Sequence, residues 1–151
     1  DHGGEVLKFI GDGLLAVFPV ADDAPGAAVR ALESAEASVT AVGKLNDDRP
    51  DDLPKAALPL NTGIALHLGE VFFGNVGSPS RLDFTVIGRA VNEASRVETL
   101  TKEVGRPLLI TAPIAKLLDR EMEAKGAYLQ KGVETPVEVF APAGGHTVSL
   151  G

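Results

Sequence analysis

No cysteine occurs among the 151 residues, which excludes disulfide bridges, thiol catalysis and thiolate zinc sites. Tryptophan is also absent, and one tyrosine with six phenylalanines makes up the whole aromatic set. A core must therefore come mainly from Val, Leu, Ile and Ala. Lys and Arg form no run, and the net charge is −7. Gripping a nucleic-acid polymer takes a basic face that displaces counterions from phosphates, so no such polymer is expected as a partner. A small anion stays open, because a few placed cations or a bound metal can outweigh the global sign. No apolar stretch approaches the ~18 residues of a membrane-spanning helix, and no signal peptide is visible. The domain is expected in the cytoplasm, or on the cytoplasmic side of a membrane if a longer parent is anchored. His2, His67 and His146 lie far apart and match no helical metal spacing. His67 sits in an alternating run and reads as a packed side chain rather than a ligand.

What is present fits one globular domain with a hydrophobic core: 44% hydrophobic and 23% charged residues, in the ordinary range. Seventeen glycines and ten prolines are scattered along the chain and imply many tight turns. Residues 1–143 read as the domain and 144–151 as a tail, with no internal repeat. The chain starts at Asp1 without Met, inside sequence that looks structured, and is expected to be a piece of a longer protein.

Glu5-Val6-Leu7-Lys8-Phe9-Ile10 and Leu14-Leu15-Ala16-Val17-Phe18 read as strands joined by Gly11-Asp12-Gly13, with Asp-Gly suited to a tight hairpin. Asp22 and Asp23 suit the start of a helix with Pro25 in its first turn. Ala28, Leu32, Ala35, Val39 and Val42 form its apolar stripe. Residues 46–59 read as a surface loop. Ile64, Leu66 and Leu68 share one face of a strand that turns at Gly69-Glu70 into residues 71–76, giving a second hairpin. Residues 84–87 read as a short strand that Gly88 breaks. A helix over about 90–103 follows, with Ala90, Ala94, Val97 and Val104 inward. Then come a strand at 108–111, a short helix at 113–118, and two strands near 128–130 and 137–140 flanking a Lys131-Gly132 turn. Hairpins separated by helices indicate an α+β sandwich with helices on one sheet face.

The candidate chemistry lies in two places. Asp12 is exposed at a hairpin tip with Lys8 four residues before it; taken alone, these suit an ordinary turn with a solvated lysine. Thr85 lies in a strand, Gly88 permits a sharp exit, and Asn92 and Arg96 lie four apart on the next helix, hence on one face one turn apart. A solvated helix face explains a charge, but not that combination.

Together these residues carry a resemblance. Lys8-Phe9-Ile10-Gly11-Asp12 resembles the Lys-x-x-Gly-Asp hairpin of class III adenylate/guanylate cyclases. Phe84-Thr85-Val86-Ile87-Gly88, followed by Val91-Asn92 and Ala94-Ser95-Arg96, resembles that family's second motif. Gly69-Glu70-Val71, Gly74-Asn75-Val76-Gly77, Lys131-Gly132-Val133 and Pro136-Val137-Glu138-Val139 match its remaining segments, in order, over nearly the whole chain. The resemblance implies a ferredoxin-like, palm-type sandwich with an antiparallel-rich sheet, here lacking the family's first strand. It implies conversion of ATP to 3′,5′-cyclic AMP and pyrophosphate with two divalent ions, Mg2+ or Mn2+. Asp12 is then a metal-binding aspartate. The second such aspartate is expected upstream of residue 1, so residues 1–151 alone are expected to be inactive. Asn92 corresponds to the residue that orients the ribose and Arg96 to the one that meets charge on the α-phosphate. Lys131 and Arg81 correspond to triphosphate contacts, and Lys8 with Thr85 to the base-selecting pair. A lysine ammonium donates to adenine N1 and a threonine hydroxyl accepts from N6; guanine reverses both, so ATP is the expected substrate. The resemblance also implies a homodimer with sites shared across its interface, and regulatory domains in the parent. The alternatives are a guanylate cyclase, a degenerate nucleotide-binding or dimerisation domain, and a plain interaction domain.

Overall fold

In a computed structural model, residues 2–48, 51–52, 54, 59–132 and 134–144 are described. Val133 and the tail beyond Gly144 lie outside them. The chain opens with a hairpin of β1 (Glu5–Ile10) and β2 (Gly13–Val17). Ile10 pairs with Gly13, so the two-residue loop is Gly11-Asp12 rather than Asp12-Gly13. Gly11 takes φ +60° at the first loop position, where a hairpin turn of this length needs a residue free to enter the left-handed region.

Helix α1 (Ala24–Asp47) is capped by Asp23, whose carboxylate accepts from the Gly26 N–H at 2.9 Å. Its expected stripe is buried at Ala28, Leu32 and Ala35. Asn46, expected to open the surface loop, lies instead in the last helical turn. Its side chain donates to the Leu60 carbonyl at 2.9 Å and accepts from the Leu60 N–H at 2.7 Å. These two hydrogen bonds to a residue fourteen positions on tie down the last turn of the helix, beyond the end of the stripe.

The chain then forms β3 (Ile64–Leu66), β4 (Phe72–Ser78), β5 (Arg81–Ile87), α2 (Arg89–Val104), β6 (Leu108–Thr111), α3 (Ala112–Ala115), β7 (Met122–Tyr128) and β8 (Val137–Pro142). The expected hairpin between the 62–68 strand and the 71–76 strand does not form. β3 pairs in parallel with β6, and β4 pairs antiparallel with β5, from Phe72↔Ile87 to Ser78↔Arg81. The strand expected over 84–87 thus begins at Arg81, after a Pro79-Ser80 turn. β3 is covered on both faces, the environment that suits a parallel strand. α3 is shorter than expected, and β7 begins and ends earlier, leaving Lys131-Gly132 inside a longer connection to β8.

Among the described residues three sheets result: β1-β2, β4-β5 and the mixed sheet β3-β6-β8-β7. The α+β class holds, with one correction about the helices. Ile64, Leu66, Leu108 and Ile110 pack with Ala28, Leu32 and Ala35 of α1 and with Ile114 of α3. Their strand neighbours Ala65, Leu109 and Val139 pack with Val97, Leu100 and Val104 of α2. Successive strand residues point to opposite faces, so α1 and α2 cover opposite sides of the mixed sheet. Among the described residues no helix is long and apolar enough to cross a membrane.

Candidate functional site

The β1–β2 hairpin projects Lys8, whose register partner is Leu15, and presents Asp12 at its tip; both are exposed. β1 lies against β5, so this hairpin borders the strand that carries Arg81 and Thr85. Those two are placed by register opposite Ser78 and Gly74; their side chains lie outside the described set.

Helix α2 starts after Gly88 and ends at Gly105. Val97 and Thr101 are buried, whereas Asn92 and Arg96 are exposed. A helix that buries one stripe against a sheet holds its remaining side chains at fixed angles to that sheet. The backbone positions of Asn92 and Arg96 are consequently fixed one turn apart on one face. Lys131 is exposed in the turn that follows β7. Among the described residues, no side chain of Lys8, Asp12, Asn92, Arg96 or Lys131 makes a hydrogen bond or ion pair with another residue. The structure therefore brings together Lys8 with Asp12, and Asn92 with Arg96. No hydrogen bond or ion pair joins these two groups to each other or to Lys131.

Beneath α2 lies a polar cluster not anticipated from the sequence. His67 Nε2–H donates to Glu93 Oε2 at 2.7 Å, its Nδ1 faces Thr111 Oγ1 at 2.9 Å, and Arg89 Nε donates to Glu93 Oε1 at 3.0 Å. The His67 side chain is 10% exposed and Glu93 21%, so His67 is indeed packed. The signal available in the sequence was the position of Glu93, three after Ala90 and four before Val97, on the inward stripe.

A divalent ion takes about six or more oxygen ligands, several of them carboxylate. Asp12 is one exposed carboxylate, and among the described residues no group of three His, Cys, Asp or Glu could hold a metal. The described residues do not by themselves fit a two-ion site.

The family description "Adenylate and Guanylate cyclase catalytic domain" matches residues 1–141. An adenylate cyclase of Anabaena cylindrica is 40% identical over 138 residues, covering 83% of this chain and 26% of that protein. The chain spans about a quarter or less of the curated relatives' own lengths. Among solved structures, the adenylyl cyclase CyaB from P. aeruginosa superposes with a TM-score of 0.76 at 30% identity, over 92% of this chain and 71% of that one. The guanylyl cyclase Cya2 superposes with a TM-score of 0.72 at 27% identity, over 96% and 72%. This chain belongs to the adenylate and guanylate cyclase catalytic-domain family.

Proposed function

We propose that residues 1–143 are the catalytic domain of an adenylate cyclase, with 144–151 a tail. The observation that carries this reading is the Asn92–Arg96 pair, exposed and with side chains that make no hydrogen bond or ion pair among the described residues, on a helix whose other face is packed into the core. In the reaction, the ribose 3′-oxygen forms a bond to the α-phosphorus and releases its proton. The bond from the α-phosphorus to the bridging oxygen breaks, and pyrophosphate leaves with the electron pair. Asn92 orients the ribose. Arg96 donates to the α-phosphate oxygens as negative charge grows on them, a preorganised electrostatic role. Lys131 and Arg81 hold the polyphosphate. Lys8 and Thr85 select adenine by donating to N1 and accepting from N6.

Asp12 is the candidate ligand for a divalent ion. Completing a two-ion site takes carboxylate oxygens beyond those of the described residues. Val6, Phe9, Ile10 and Leu14 on the first hairpin, with Phe72 and Ile87 on β4–β5, are each more than half exposed. Apolar surface of that kind supports a homodimer interface that brings Asp12 of one chain to Lys8, Thr85, Asn92, Arg96 and Lys131 of the other. The parent protein is proposed to add regulatory domains.

The test is direct. The purified protein containing this domain is incubated with ATP or GTP and Mg2+ or Mn2+, and cyclic nucleotide and pyrophosphate are quantified. Equimolar cyclic AMP and pyrophosphate, with GTP the poorer substrate, is the expected result. No cyclic nucleotide, or a preference for GTP, would overturn the reading.

A further inference from the structure

The parallel register of β3 and β6 pairs Ile64 with Leu108, Ala65 with Leu109 and Leu66 with Ile110. Two residues beyond the Ala65–Leu109 pair, on the face that α2 covers, the same offset brings His67 to Thr111. The core on this face thus changes from apolar to polar along a single row. Glu93 of α2 sits over that polar end. Its carboxylate accepts from His67 on one oxygen and from Arg89 on the other.

Glycines set how closely α2 approaches on both sides of this contact. A Cβ on Gly69 would come within 2.5 Å of the Ala90 Cβ, and one on Gly63 would collide with Thr101 and Glu98. Gly63, His67 and Gly69 therefore meet α2 in reverse order at Thr101, Glu93 and Ala90. Small residues permit close approach anywhere along the helix, but they do not fix its rotation about its own axis. A directional bond to a buried ring does. The open hollow beside this cluster also contains Glu134 and Glu138. With Glu93, that makes three carboxylates against Arg89, which disfavours a polyphosphate there and leaves the cluster as an internal contact.

We propose that Glu93, held by His67, is a positioning residue that fixes the rotation of α2 and so aims Asn92 and Arg96 at the reacting nucleotide. This rests on the cyclase reading above. Misplacing reacting groups by about 1 Å costs on the order of 10²-fold in rate. In the protein that carries this domain, Glu93→Ala should lower kcat at least tenfold and change KM for ATP less than twofold. Glu93→Gln, which still accepts from His67, should stay within threefold of wild type. With Asn92 and Arg96 both already alanine, Glu93→Ala should cost threefold or less, because a residue acting through that pair has little left to aim. The same tenfold loss in both backgrounds, or a Glu93→Ala protein with unchanged kcat, would overturn the proposal.

A second measurement does not depend on turnover. Amide hydrogen exchange at residues 93–97 should quicken at least tenfold in Glu93→Ala while Leu109 and Ile110 keep their protection; unchanged exchange in α2 would contradict the proposal. A wild-type protein that makes no cyclic nucleotide would overturn the cyclase reading instead, and the exchange result would then decide this one.

Discussion

Arg96 and Lys8 divide the proposed work between chemistry and choice of base. Removing one preorganised donor to developing charge costs on the order of 10²–10³ in kcat. Arg96→Ala should show a loss of that size with little change in KM, measured as cyclic AMP formed per chain. Lys8→Glu should instead reorder the substrates. One polar mismatch costs about 1–3 kcal/mol, so ATP turnover falls by roughly 5- to 150-fold while GTP loses less or gains. An equal loss with both nucleotides would place Lys8 elsewhere than against the base. The residues behind these predictions were legible in sequence because their geometry is local: a two-residue hairpin loop for Asp12 and one helical turn for Asn92 and Arg96. Glu93 was not. A glutamate on an inward stripe makes sense only once His67 is known to face it, and His67 is 26 residues away on another element.

At the scale of elements, the hairpin β1–β2, the capped start of α1 and the extent of α2 follow from short-range signals, and all three are found near the expected positions. The pairing of β3 with β6 could not be read in the same way. Its partners lie 44 residues apart, with a hairpin and a helix between them. The same non-locality explains α1, whose last turn depends on the Asn46–Leu60 bonds, and the placement of helices on both sheet faces.

The β6–β7–β8 edge carries a testable electrostatic contact. Arg106 is buried and donates to Glu123 Oε2 at 2.9 Å and to the Pro142 carbonyl at 2.7 Å; Lys125 donates to Glu123 at 2.9 Å. Hydrogen bonds from Lys125 and then Arg106 hold the Glu123 carboxyl below its ordinary pKa. A depressed carboxylate contributes stability that is present above its unfolded pKa and is lost as pH falls through the folded one. Glu123→Gln should therefore lower Tm at pH 7, and the gap to wild type should close as the pH drops below about 4.3. A gap that persists unchanged in acid would mean the ion pairs contribute nothing.

At the scale of the whole molecule, the proposed metal ligand and the proposed phosphate-binding pair lie on different elements. Asp12 sits at the tip of a hairpin with exposed apolar residues, and Asn92 and Arg96 on the open side of α2; among the described residues no hydrogen bond or ion pair joins Asp12 to either. A two-fold dimer would complete two identical sites, each drawing on both chains. Asp12→Ala and Arg96→Ala homodimers are then inactive at both sites. A mixed dimer has one doubly damaged site and one intact site. With random exchange, about half the dimers are mixed and half their sites are intact, so about a quarter of wild-type activity returns. The most direct measurement is to mix the two purified variants of the cyclase-active protein, allow subunits to exchange, and assay cyclic AMP. Recovery to about a quarter of wild type is the predicted result; no recovery, with exchange demonstrated independently, would contradict a site shared between chains.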